Sequence, residues 1–147
     1  MKLVNLPNGL SINALGQIDT KVLYHEMFQM QTYLKYNVQV SDGDYIFDVG
    51  ANIGLFSLSL TQSFQKLKIF AFEPIPEIFN ALTNNAKCYF PGAVLCNVGL
   101  SNTAKISEFS YSPALTMGAS MYSSEIAKSV SQEASVYDWM KAVVLDL

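Results

Sequence analysis

Two acidic residues, each closing a short apolar run, carry the chemistry this sequence could do. Tyr45-Ile46-Phe47 leads to Asp48, and Gly50, Asn52 and Gly54 follow. Leu55, Phe56, Leu58 and Leu60 then resume at a spacing a helix can use, so the stretch reads as strand, glycine turn and helix start. Further on, Lys68-Ile69-Phe70-Ala71-Phe72 leads to Glu73-Pro74. A glycine turn lets the backbone come close to a ligand, and a helix start offers unpaired N–H groups and a positive dipole end. Those donors would hold a ligand carboxylate, while Asp48 could accept from an amine. Glu73, at the end of the second strand of a βαβ unit, is placed to accept from both hydroxyls of a ribose.

The two sites together describe a nucleoside carrying an amino acid, which is the make-up of S-adenosylmethionine. The pattern departs from the dinucleotide fingerprint G-x-G-x-x-G, and no Lys or Arg lies near the turn to favour a phosphate. A dinucleotide remains an alternative, as does a plain βαβ turn whose glycine serves packing.

The elements that must position these residues follow in order. Residues 2–15 read as a hairpin around Pro7-Asn8-Gly9. Asp19 or Thr20 then caps a helix to about Tyr36, with Val22, Leu23, Met27, Met30 and Leu34 as its apolar stripe. His25, beside Glu26, is either a partly exposed helix residue or a general base. Ser41-Asp42-Gly43-Asp44 is a polar turn into the first strand, and a helix over about Ile53–Phe64 crosses to the second. Pro74-Ile75-Pro76-Glu77 opens the next helix, with Phe79 and Leu82 facing inward, and Ala93–Cys96 is a third strand. Three strands alternating with two helices predict a parallel sheet with right-handed crossovers. Beyond it, Ala104–Tyr111 reads as an antiparallel strand, Pro113–Ser120 as a loop and Met121–Val130 as a short helix. Ser135–Leu147 begins helix-like through Val136 and Trp139 and ends VVLDL.

The chain has 147 residues, half of them hydrophobic, enough for one domain with a real core. A net charge of −3 without a basic face argues against nucleic acid. No apolar run reaches the roughly 18 residues of a membrane span. Pro7 and Gly9 break the N-terminus too early for a signal peptide, so a cytoplasmic location without membrane partners is the expectation. Cys88 and Cys96 lack companions for a metal site, so no metal is expected and both read as buried thiols.

FDVGANIGLFSL followed by AFEPIPEIFNAL resembles the FkbM-type S-adenosylmethionine-dependent methyltransferases, and within them the methyltransferase domains of polyketide and nonribosomal peptide assembly lines. The likeness extends to YHEMFQMQTYLKYNVQVSDGD and to NVGLSN, and covers roughly Val22 to Tyr122. It implies a Rossmann-like class I methyltransferase fold: α/β, three-layer α/β/α with a mainly parallel sheet, preceded by a short hairpin and helix. Residues 1–147 would be one domain, with 1–40 the hairpin and helix and 41–147 an incomplete Rossmann-like core. It implies S-adenosyl-L-methionine as cofactor, held by Asp48, Gly50, Ala51, Asn52, Gly54, Glu73, Pro74 and Asn97. Asn97 would pass near the adenine; on its own it is equally a turn residue. Tyr24, Phe28 and Tyr33 would roof the pocket, although aromatics at helical spacing are more often core. The acceptor would be a hydroxyl of a small-molecule or carrier-bound natural product. The catalytic base is not legible, with His25 and Asp146 as weak candidates.

The resemblance falters at the end of the chain. Family members continue into a strand with a Lys-x-Asp-x-Glu-like motif, whereas Val143-Val144-Leu145-Asp146-Leu147 lacks the lysine and the glutamate. The expectation is a chain that carries the cofactor half and lacks later strands. The first strand would then expose an apolar edge that the VVLDL run covers only in part. Such an edge invites a homo-oligomer, or docking onto the rest of a larger polypeptide. A binding module without turnover is the competing reading.

Overall fold

Strands β3 (Tyr45–Val49) and β4 (Lys68–Phe72) pair in parallel, Tyr45 opposite Lys68 and Val49 opposite Phe72, and β5 (Val94–Cys96) adds in parallel on the far side of β4. This is a computed structural model, and it describes residues 1–35, 38–112, 115–120 and 138–146. Helices α2 (Leu55–Thr61) and α3 (Pro76–Tyr89) make the two crossovers. Because each crossover steps the sheet in the same direction, a common handedness puts both helices on one face. That face carries Asp48, Ile69 and Ala71, all buried, and packs against Leu58, Ile78, Ala81 and Leu82.

The opposite face is open among the described residues. Tyr45, Phe47 and Val49 are 60%, 63% and 57% exposed. Phe47 stacks on Phe70 at 5.1 Å and Tyr45 on Phe70 at 6.3 Å. Over the described residues this sheet and its two helices form two layers of the expected α/β arrangement. No described strand pairs with the outer edge of β3. The terminal run does not lie there: β9 (Asp138–Asp146) pairs in parallel with β6 (Gly99–Ser101) and antiparallel with β7 (Lys105–Ser112). With β8 (Leu115–Ser120) on the other side of β7, these form a second sheet in the order β6-β9-β7-β8.

The segment expected as a loop over Pro113–Ser120 thus contains a strand, and Trp139 lies in a strand rather than a helix. Ladder bonds on both edges of β9 outweigh the helical spacing of a few apolar residues. The helix expected over 121–130 lies outside the described residues.

The N-terminal hairpin is as expected, β1 (Lys2–Asn5) antiparallel to β2 (Ser11–Ala14). Asn85 fixes it to the core: its Oδ1 accepts from Asn13 N–H at 2.7 Å, and its Nδ2 donates to Asn13 O at 2.9 Å and Ile53 O at 2.8 Å. The helix expected to run to Tyr36 is shorter. Helix α1 (Gln17–Tyr24) starts at Gly16, not at Asp19 or Thr20, both of which are buried inside it. It widens into a π-helical turn over His25–Gln29, closed by Met30 N–H on His25 O at 2.9 Å. Gln31 then enters the left-handed region at φ 47° and a 3₁₀ turn spans Thr32–Leu34. The expected stripe breaks with it: Leu23 and Met27 are buried, while Val22 and Met30 are exposed. No helix among the described residues is long and apolar enough to cross a membrane.

Candidate functional site

The glycine turn is built from the strand ends outward. Gly50 N–H and Ala51 N–H both donate to Phe72 O at 2.9 Å, which binds the turn to the end of β4. Gly50 at φ 76°, Asn52 at 51° and Gly54 at 86° are all left-handed, the region glycine enters freely and asparagine tolerates. At Gly54 space adds a second constraint: a Cβ would lie 2.7 Å from Leu82 Cδ1 and 3.0 Å from Phe90 Cζ. At Gly50 a Cβ would meet nothing within 4 Å.

Both carboxylates are buried, Asp48 6% exposed and Glu73 4%. Asp48 Oδ2 accepts from the Ser57 hydroxyl at 2.6 Å. Burial raises its pKa, against the hydrogen bonds from Ser57. Glu73 spans two turns: Oε2 accepts from Asn52 N–H at 3.0 Å and Oε1 from Ile75 N–H at 2.9 Å. Its pKa is pushed up to about 7, first by burial and additionally by the nearby Asp48 carboxylate, with the two N–H donors opposing. Asn97 donates to Glu73 O at 2.7 Å and Pro74 O at 3.2 Å, and so shapes the turn that carries Glu73.

A cleft of about 540 Å³ opens at the carboxyl end of β3 and the glycine turn. Of the predicted residues, Asp48, Gly50, Ala51 and Asn52 line it. Gly54, Glu73, Pro74 and Asn97 are not on its wall; Glu73 reaches the turn from behind through Asn52 N–H. Tyr33 lines the cleft and packs edge-on against Phe56, whereas Tyr24 and Phe28 stack on each other at 4.8 Å away from it. His25 is exposed, with Nδ1 2.5 Å from Gln29 Oε1, and is not on the wall. Its neighbour Glu26 is, beside Met27. Among the described residues, no Lys, Arg or His lines the cleft.

Sequence reasoning passed over Glu26, Ser57 and Asn85. Asn85 had a signal, a polar residue on the stripe Ile78, Ala81, Leu82, Ala86 of α3. Glu26 had none, because the π turn alters which residues face the cleft. The cysteines correct an expectation: Cys88 is exposed and Cys96 half-buried, both free.

Curated relatives place the sequence in a family. The 31-O-demethyl-FK506 methyltransferase FkbM of Streptomyces tacrolimicus is 32% identical over 114 residues, 78% of this chain and 44% of that protein. By sequence, the chain belongs with the FkbM-type methyltransferases. Methyltransferase sdnD of Sordaria araneosa is 34% identical over 108 residues, 72% of this chain and 41% of the relative. AMB antimetabolite synthetase AmbE of Pseudomonas aeruginosa is 33% identical over 110 residues, 75% of this chain but only 5% of the synthetase. The chain therefore spans less than half the length of these relatives. No family model matches, and no solved structure does at the same stringency.

Proposed function

We propose that this chain carries the S-adenosyl-L-methionine site of a methyltransferase acting on a hydroxyl of a small-molecule or carrier-bound natural product. The observation that carries the reading is the cleft itself. It has a glycine turn with open space at Gly50, an Asp48 wall, aromatic sides and, among the described residues, no cationic side chain. That donor set fits the proposed cofactor. Asp48 and Glu26 suit an ammonium, and Tyr33, Phe47 and Phe56 suit a sulfonium, while the N–H groups of the turn are engaged within the chain. It does not fit a pyrophosphate, which would want cations or a third glycine.

When bound, S-adenosyl-L-methionine supplies an electrophilic methyl group. The chain's own residues bind and orient. Asp48 is held at one oxygen by Ser57 and cannot swing away from the turn. Glu73 holds Asn52 and Ile75 by their N–H groups from behind the cleft wall, and ribose hydroxyls would have to reach the lone pairs that those bonds leave. Those hydroxyls donate best to the ionised carboxylate, so affinity should rise as pH passes through the Glu73 pKa of about 7. Titration calorimetry with S-adenosylhomocysteine and with NAD tests the reading. S-adenosylhomocysteine should bind and NAD should not; the reverse would make the site a dinucleotide site. A labelled-methyl transfer assay separates an enzyme from a binding module.

A further inference from the structure

Asn52 is the one residue of the turn that is left-handed without being glycine. Its main chain is held by Glu73, and its Oδ1 accepts from its neighbour Ile53 N–H at 2.8 Å. A third bond comes from far along the chain. The Thr116 hydroxyl donates to the same Oδ1 at 3.2 Å, across 64 residues of sequence. Thr116 is 2% exposed, so its hydroxyl has no access to water as an alternative partner. Its backbone N–H donates to Asp19 Oδ2, and Asp19, also 2% exposed, lies in the first turn of α1. One residue of β8 therefore ties the N-terminal helix to the glycine turn.

We propose that Thr116 is a positioning residue for the ligand-binding turn, locking Asn52 in its left-handed form by a hydroxyl whose own place is set by Asp19. The binding role of the turn rests on the cofactor reading above; the lock on its backbone does not. Two partners on one side-chain oxygen fix the Asn52 side chain, and a fixed side chain restrains the main chain that carries the Asn52 and Gly54 amides. The lock is built before any ligand arrives, so binding need not order the turn.

The test compares Thr116→Val, which keeps shape and removes the donor, with Thr116→Ser, which keeps the donor. Amide exchange at Asn52 and Gly54 is followed in the free protein, and S-adenosylhomocysteine binding is followed by calorimetry. Thr116→Val should speed exchange at these amides about tenfold and weaken binding about tenfold, the scale of one lost hydrogen bond. Thr116→Ser should restore both. In an Asn52→Gly background, where no side chain remains to be held, Thr116→Val should add nothing. Unchanged exchange in a cooperatively melting Thr116→Val protein would overturn the lock, as would an equal effect of the substitution in the Asn52→Gly background. That background also decides the matter if Thr116→Val alone fails to fold. Normal acceleration of exchange in a protein that never binds S-adenosylhomocysteine would leave the lock standing and remove the cofactor reading.

Discussion

The two faces of the three-stranded sheet differ in what covers them. On one, Ile69 and Ala71 sit under α2 and α3 with almost no exposure. On the other, Tyr45, Phe47 and Val49 stay wet and the cleft opens at the carboxyl end of β3. The lesson is a division of labour within single strands. Alternate residues of β3 serve either the core or the site, and Asp48 serves both, being buried on the packed face while touching the cleft. Stability is concentrated on the covered face, so substitutions there should unfold the protein, while those on the open face should alter binding and association.

Gly54 and Gly50 put this contrast in one experiment, since both are left-handed and only one is packed. Gly54→Ala should cost about 2–5 kcal/mol, from roughly 1–2 kcal/mol of backbone strain plus roughly 1–3 kcal/mol of overpacking against Leu82 and Phe90. Denaturant melts check it, and a loss below about 1 kcal/mol would mean the covered face is loosely packed.

Next in size is the pH dependence set by Glu73. Its pKa rises from 4.5 to about 7 on folding, so the folded state favours the protonated acid. The contribution is fully present below pH 4.5 and is lost as pH rises through about 7, amounting to about 3 kcal/mol at most. Asp48, also raised, acts in the same direction. Melting temperature should fall across this window while ligand affinity climbs, and Glu73→Gln should flatten both profiles.

Gly50→Ala should cost only the strain, about 1–2 kcal/mol, yet weaken S-adenosylhomocysteine binding through its position on the cleft wall. Equal stability losses at the two glycines would break the contrast between the faces. Smallest should be Phe47→Lys, within about 0.5 kcal/mol in stability, as for a surface change. Light scattering should show the wild-type chain associating at micromolar concentration and the variant less so. A clean wild-type monomer would show that the open face needs no partner.

The order β3-α2-β4-α3-β5 was legible because its signals are local. Apolar runs end in acids, glycines sit where the backbone turns left-handed, and Pro76 stands in the first turn of α3. What was illegible depends on distant partners. Strand β8, LTMGAS, has small residues and no clear alternation, and β7 pairs with it only around a bulge between Ser110 and Ser112. Thr116 takes its meaning from Asp19 and Asn52, which no local window contains. Cys88 was misjudged by residue type, although the spacing of Ile78, Ala81, Leu82, Asn85 and Ala86 already points it outward.

The π-helical turn at His25–Gln29 has a consequence for how the cleft could change over generations. A π turn accommodates one residue more than an α turn of the same rise, so it is sensitive to length rather than to composition. Losing a single residue from it would restore regular winding and change which side chains of the turn face the cleft. Glu26 and Met27 would then leave the wall together, and other side chains of the same helix would take their place. One codon deleted or restored would thus exchange part of the cleft lining in a single step, disturbing the core packing of Met27 but not the glycine turn.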